Sequence, residues 1–235
     1  MAGELRGVNI VDTAKFNFEL ISTVGNHCEV WRTAGTRVVG ARKRRFDLVV
    51  KKYRRPCSVR EVQVLEKEHR RLKSQLEDIV PSTLFARAEV DGEQSVVALS
   101  QAVNRWFNVA NPTNEDEAIP LLRRLPKARN QLLRFVHAAR KWEYEADSKI
   151  IDLYGVDNLV LNTRRELRYL DSFHVFFYAD MLRYVEDEDG LLERKVDVSV
   201  KRREYLDYLL KAVNENPTDP AGGRNRVAAP VSKAV

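Results

Sequence analysis

The sequence changes period at Ser58, and that change limits the fold more than any other feature of the chain. Upstream, apolar residues alternate with polar ones: Phe16, Phe18 and Leu20, then Glu29 to Thr33, then Phe46-Asp47-Leu48-Val49-Val50. Alternation with β-branched residues predicts half-buried strands. Gly25-Asn26 separates the first two runs, and Ala34-Gly35-Thr36 with Gly40 interrupts the next connection, so the segment reads as a twisted antiparallel meander. Downstream, Pro56-Cys57 precedes Ser58-Val59-Arg60-Glu61. In that pattern the Ser58 hydroxyl accepts from the Glu61 amide while Glu61 reaches back to the Ser58 amide. Val62, Leu65, His69, Leu72 and Leu76 then recur at three- and four-residue steps, one stripe of an amphipathic helix. Strands followed by a capped helix predict an α+β fold.

The remainder extends that mixture. Ser82 to Val90 and Ser95 to Val103 predict two more strands, joined at Asp91-Gly92, and Asn111-Pro112-Thr113-Asn114 predicts a loop. Pro120 to Ala146 is helical in pattern, interrupted near Pro126, with Leu132, Phe135, Val136, Ala139 and Trp142 as its apolar face. Leu159-Val160-Leu161 and Leu167-Arg168-Tyr169-Leu170 flank Asn162-Thr163-Arg164-Arg165, which predicts a hairpin. Further helices are expected around Val175 to Val185 and from Val200 to Val213. Glu215 to Val235, rich in Pro, Gly, Ala, Asn and charge, predicts a disordered tail.

Composition narrows the classes of function. At 235 residues and 44% hydrophobic, the chain is able to bury a sizeable core without disulfides or a structural metal. A net charge of +6 and a pI of about 9.3 suit an anionic partner: nucleotide, phosphorylated sugar, lipid headgroup or nucleic acid. The same charge also serves plain solubility. Cys28 and Cys57 are the only cysteines and form no Cys-x-x-Cys pair, which fits a reducing cytoplasm. His27, His69, His137 and His174 lack the spacing of zinc ligands. Met1 to Asp12 has no apolar core of signal-peptide length, and no run approaches the roughly 18 apolar residues of a membrane helix. The expected location is the cytoplasm, with peripheral attachment to the inner face of a membrane left open.

A few polar residues stand where chemistry is plausible on their own terms. Leu48-Val49-Val50-Lys51 ends a strand in a cation, and alternation puts Val49 and Lys51 on one face and Lys52 on the other. The plain alternative is two surface lysines, with Lys52 the fallback candidate. Glu68 lies on the capped helix; its plain reading is a solvated acid pairing with Arg71 or Lys73, and Glu66 is the alternative acid. Asn158 and Asp171 stand thirteen positions apart with an expected hairpin between them, which would bring both side chains to one end of a sheet. One amide and one carboxylate suit magnesium, which takes hard oxygen ligands and few protein groups. Asp152 and Asp157 are further carboxylates nearby; beside Asn158, Asp157 reads as a turn residue.

The order of these elements resembles the protein-kinase-like superfamily over roughly Phe16 to Phe177. Leu48 to Lys51 is similar to the strand that carries that family's phosphate-binding lysine, and Glu68 to the helical glutamate that aims it. Thr23 to Trp31 resembles the glycine-rich loop, with Gly25 as its middle glycine and Thr23 and Cys28 in place of the other two. Ile151-Asp152-Leu153-Tyr154-Gly155-Val156-Asp157-Asn158-Leu159-Val160-Leu161 resembles the catalytic loop and the strand after it. Tyr169-Leu170-Asp171-Ser172-Phe173 resembles the metal-binding segment with its glycine replaced. The pattern also departs. The family's catalytic aspartate usually stands five residues before the asparagine, where this chain has Leu153; Asp152 stands one further back, preceded by Ile150 and Ile151. One inserted residue, helped by Gly155, would let Asp152 serve. The short stretch after Asp171 has no room for the large helical half of eukaryotic protein kinases. It is more similar to small bacterial families such as lipopolysaccharide-core sugar kinases and aminoglycoside-phosphotransferase relatives.

The resemblance implies a two-lobed fold: an N-terminal segment 1–15, an N-lobe 16–104 with an antiparallel sheet and capped helix, a reduced helical C-lobe 105–214, and the tail 215–235. It implies ATP and Mg²⁺ as cofactors, Lys51 on the phosphates, Glu68 orienting Lys51, Gly25 in the covering loop, Asn158 and Asp171 on the metal, and Asp152 as base. The expected activity is phosphoryl transfer to a hydroxyl of a small or lipid-linked sugar-type acceptor. The shifted aspartate and sparse glycines support a second expectation, a pseudokinase that binds nucleotide or scaffolds. A third, binding of an anionic membrane or nucleic acid, is supported by Arg42-Lys43-Arg44-Arg45 with Lys51, Lys52, Arg54 and Arg55. Nucleic acid is the less favoured partner, since no RNA-binding aromatic signature accompanies the charge; Trp31, Trp106 and Trp142 are expected in core or cleft. No Gly-x-Ser-x-Gly elbow is present, which disfavours a serine hydrolase.

Overall fold

The computed structural model describes residues 17–23, 28–39, 41–90, 93–179, 187 and 189–215. Gly25, segment 1–15, the Asp91-Gly92 turn and the tail from 216 onward lie outside the described residues. The chain is a mixed α+β protein, with antiparallel sheets and four helices among the described residues. Strands β1 (Glu19–Ser22), β2 (Cys28–Val39), β3 (Arg42–Tyr53), β4 (Thr83–Val90) and β5 (Glu93–Gln101) form a five-stranded sheet in the order β1-β2-β3-β5-β4. The expected break at Ala34-Gly35-Thr36 does not occur: these residues stay in β2 and pair with Asp47, Phe46 and Arg45. The reason is cross-strand packing. A Cβ at Gly35 would come within 2.8 Å of the Phe46 ring, so the ring fills the space a side chain would take. Arg32 then clamps Asp47 on the same ladder with two bonds of 2.8 and 2.6 Å. β5 meets β3 only from Leu48 to Lys52, so Arg42 to Arg45 extend beyond it on a ribbon shared with β2 alone.

Helix α1 (Val59–Leu76) begins with both reciprocal bonds of its cap, Glu61 N to Ser58 Oγ at 3.2 Å and Ser58 N to Glu61 Oε2 at 2.7 Å. Its buried stripe is Leu65, His69, Leu72 and Leu76. The stripe serves two cores. Leu65 joins Cys28, Tyr53, Cys57, Phe85, Val96, Ala98 and Phe173 beneath the large sheet. Leu72 and Leu76 join a second, larger cluster around Trp142, Phe135, Leu132 and Leu161.

That second cluster is built by α2 (Glu115–Arg124), α3 (Pro126–Glu143) and α4 (Leu191–Asn214) against two small sheets. One sheet orders β6 (Arg105–Asn108), β8 (Leu159–Asn162) and β9 (Leu167–Tyr169); the other pairs β7 (Lys149–Ile151) with β10 (Phe176–Tyr178). Pro126 explains why α2 and α3 are separate. A residue before proline is pushed out of the helical region, and Leu125 sits at φ −118°, ψ 77°.

Two expectations fail in this half. The helix expected around Val175 to Val185 is, where described, strand β10, paired antiparallel with β7. Aromatic residues favour a pleated, half-buried surface, and Phe176 packs edge-on against Trp142 at 4.9 Å. Helix α4 starts at Leu191, well before Val200, because the Asp187 carboxylate accepts from the amides of Leu192 (3.0 Å) and Glu193 (2.8 Å). Among the described residues no helix is long and apolar enough to cross a membrane.

Candidate functional site

Between the five-stranded sheet and the second core lies a cleft of about 1360 Å³. Val49 and Lys51 face it from β3, as alternation requires, while Lys52 is on the other face. The Lys51 ammonium donates to the Leu170 carbonyl at 2.6 Å and lies 3.8 Å from Asp171 Oδ1.

The opposite wall comes from the β8–β9 hairpin and the loop before it. Leu159 pairs with Tyr169, and the Leu170 amide donates to the Asn158 carbonyl at 2.8 Å. This register sets Asn158 beside Asp171, where Asn158 Nδ2 donates to Asp171 Oδ2 at 3.4 Å and to the Asp152 carbonyl at 3.2 Å. Gly155 is required by close approach: a Cβ there would lie 2.5 Å from Asn158 Oδ1. Asp171 Oδ1 also accepts from the Ser172 amide at 2.7 Å.

Asp152 also faces this cleft. Leu153, at the position where a kinase-like aspartate is usual, is fully buried in the second core. The Asp152 backbone is held on both sides: its amide donates to the Val175 carbonyl at 2.9 Å, and its carbonyl accepts from the Tyr169 hydroxyl at 2.9 Å. Its carboxylate is only 8% exposed and accepts from the Tyr154 amide at 2.7 Å. Burial, then the neighbouring charge of Asp171, pushes its pKa up to about 7 despite that amide. A carboxylate poised near neutrality is suited to proton transfer. Asp157 instead ion-pairs with Arg105 at the cleft rim, as a turn residue would.

Glu68 departs from expectation. It accepts a hydrogen bond from the Tyr178 hydroxyl, and the carboxylate beside Lys51 is that of Asp171. Strand β10 causes the change, because its extended backbone carries Tyr178 to α1. Burial and then the bond to Glu68 raise the pKa of that phenol. The plain partners of Glu68 are engaged elsewhere: Arg71 with Glu145 and Asp147, Lys73 with the carbonyls of Glu77 and Val80. Glu66 pairs with Arg70 along the helix.

Asp171 offers a carboxylate oxygen to the cleft, while Asn158 turns its amide nitrogen toward Asp171 and its Oδ1 toward Gly155; with that amide turned over, Oδ1 would stand beside Asp171 and the pair would fit magnesium. Among the described residues no group of three or more His, Cys, Asp or Glu could hold a metal ion. An ion here would therefore take most of its ligands from water or phosphate, as magnesium does. Cys28 is no nucleophile candidate, since burial raises its thiol pKa.

Helix α4 supplies residues that sequence reasoning missed. Ser199 Oγ accepts from the Leu153 amide at 3.0 Å, and Arg202 donates to the carbonyls of Leu153 and Tyr154. Arg194 and Lys195 face the cleft beside them. Their helical spacing is visible in the sequence once α4 is known to begin at Leu191. The basic residues Arg42 to Arg45 are exposed on their ribbon and do not line the cleft. Trp142 is core, whereas Trp106, 41% exposed, is a surface ring under the Arg165 guanidinium at 3.5 Å. Compared with known proteins, the sequence matches no protein-family model and no curated protein.

Proposed function

We propose that this chain is an ATP- and magnesium-dependent phosphotransferase acting on a hydroxyl of a small or lipid-linked sugar-type acceptor, on a reduced kinase-like two-lobed scaffold. The observation that supports this reading best is the convergence of Lys51, Asp152, Asn158 and Asp171 on one cleft. Lys51, held by the Leu170 carbonyl, has donors left for phosphate oxygens. Asn158 and Asp171 would hold magnesium, whose charge neutralises the oxygens of the transferred group. Asp152 orients the acceptor hydroxyl. As the acceptor oxygen bonds to phosphorus and the bond to the leaving ADP oxygen breaks, the hydroxyl proton passes to Asp152.

The test is thermal unfolding with ATP, with and without Mg²⁺, beside Asp171→Ala. Ligand at about a hundred times its dissociation constant adds about 2.7 kcal/mol. A magnesium-dependent gain lost in Asp171→Ala is the expected result. No gain, or a gain indifferent to metal and mutation, removes the nucleotide site.

One observation favours a second reading, the pseudokinase: Glu68 is engaged by Tyr178 rather than by Lys51. ADP release over a panel of sugars separates the two. Nucleotide binding without ADP formation on any sugar would select the pseudokinase.

A further inference from the structure

We propose that the α4 wall of the cleft is an anion subsite, so that the acceptor carries a phosphate or carboxylate group close to the hydroxyl it presents to Asp152. This rests on the phosphotransferase reading above and adds the chemical class of the acceptor to it.

Arg194, Lys195, Val198 and Arg202 follow helical spacing and all line the cleft. Lys195 carries most of the inference. It is only 9% exposed, yet it forms no ion pair among the described residues; its one contact of note is the Tyr154 ring, with Nζ 6.0 Å from the centroid. That separation is at the edge of useful cation–π attraction. The contrast within the molecule is Lys149, 1% exposed, which has both Glu145 and Asp147 as partners. Burying an ammonium costs free energy unless a countercharge meets it. Lys149 has that countercharge built in, whereas Lys195 faces an open cleft that a ligand enters.

The neighbours of Lys195 fix where the ligand's charge would fall. Arg202 is committed to the Leu153 and Tyr154 carbonyls and stiffens the loop after Asp152. Arg194 is exposed at the rim, with no ion pair among the described residues. Lys195 and Arg202 line the cleft that Asp152 also lines, so an anion held there shares the cleft with the base. The nucleotide phosphates have a different cation, Lys51, on the sheet wall. A neutral acceptor would leave Lys195 buried and unpaired, and an acidic one completes it.

The measurement is calorimetric binding of glucose 6-phosphate, glucuronate and glucose to the full chain, with and without saturating ADP and Mg²⁺. At least one charged sugar should bind about tenfold or more tighter than glucose, and more weakly as salt rises. Which of the two binds tells phosphate from carboxylate. Lys195→Met should erase the preference. Arg194→Gln, at an exposed position that leaves folding intact, should reduce it several-fold. Equal affinity for glucose and both charged sugars, or no binding of any of them, overturns the subsite. So does a preference that survives Lys195→Met, or one lost in Lys51→Met in its place. If charged sugars bind as expected while ATP with magnesium does not, the subsite stands and the phosphotransferase reading falls. If nucleotide binds and charge makes no difference, the subsite alone falls.

Discussion

The two walls of the cleft are built on different terms. The hairpin wall rests on strands β8 and β9, of which Leu159, Leu161, Leu167 and Tyr169 are fully buried, and its loop is bonded residue by residue through Asp152, Leu153, Tyr154 and Asn158. The sheet wall rests on a smaller core, and its outer strand β1 leaves Leu20 44% exposed. Under the proposed function, the groups that would meet a reacting atom sit on the more extensively bonded wall. The wall that offers the Lys51 ammonium has a lighter foundation.

The sharpest way to break this comparison is to truncate one leucine on each side. Leu161→Ala should cost about 2–5 kcal/mol, whereas Leu20→Ala should stay within about 0.5 kcal/mol. Urea unfolding measures both, and similar losses would mean that the walls share one foundation after all.

Next in size are the two crowded glycines. Gly155→Ala must displace Asn158 and should cost about 1–3 kcal/mol while abolishing any magnesium-dependent gain with ATP. Gly35→Ala meets only the far end of the half-buried Phe46 side chain and should cost less than about 1 kcal/mol. Denaturant midpoints with and without ATP and Mg²⁺ check both.

The walls also respond to pH with opposite signs. Asp152 has its pKa raised to about 7, so the folded chain holds more protons there than the unfolded one. Its contribution to stability is therefore greatest near pH 4 and is lost as pH rises to about 7. His69, packed against Phe85 under the large sheet, has its pKa lowered to about 4, mainly by burial. The Pro81 carbonyl lies close enough to oppose that shift, yet neither ring nitrogen completes a hydrogen bond. Here the unfolded chain holds more protons, so stability rises from pH 4 to about 6.5. In metal-free protein the two slopes offset. Asp152→Asn should expose the rise and His69→Leu the fall; a profile unchanged by either variant would discard the assignment.

A modest effect is expected at the contact that replaces the anticipated Lys51 pairing. Tyr178→Phe removes the hydroxyl from Glu68 and should cost about 0.5–1.5 kcal/mol. A loss of several kcal/mol would show that this bond anchors β10, giving the sheet side a second foundation.

What was legible in the sequence follows the same division. Strand alternation placed Lys51 correctly, and the hairpin spacing placed Asn158 beside Asp171, because both depend only on local geometry. The capping box of α1 was legible for the same reason. The partner of Glu68 was not, since it depends on Phe176-Phe177-Tyr178 being a strand, and a short apolar run is ambiguous between helix and strand. The start of α4 was hidden because its N-cap is Gly190 and the carboxylate that accepts from its first-turn amides, Asp187, lies three residues before that cap. Without that start, Arg194 and Lys195 had no reason to be placed at the cleft. Gly35 read as a turn because the ring that covers it comes from the partner strand.

Helix α1 runs 18 residues with Leu65 rooted in one core and Leu72 and Leu76 in the other. A single rod shared in this way ties the melting of the two cores together. When either core loosens, the other loses part of its own wall, so two separate apolar centres should still unfold in one transition.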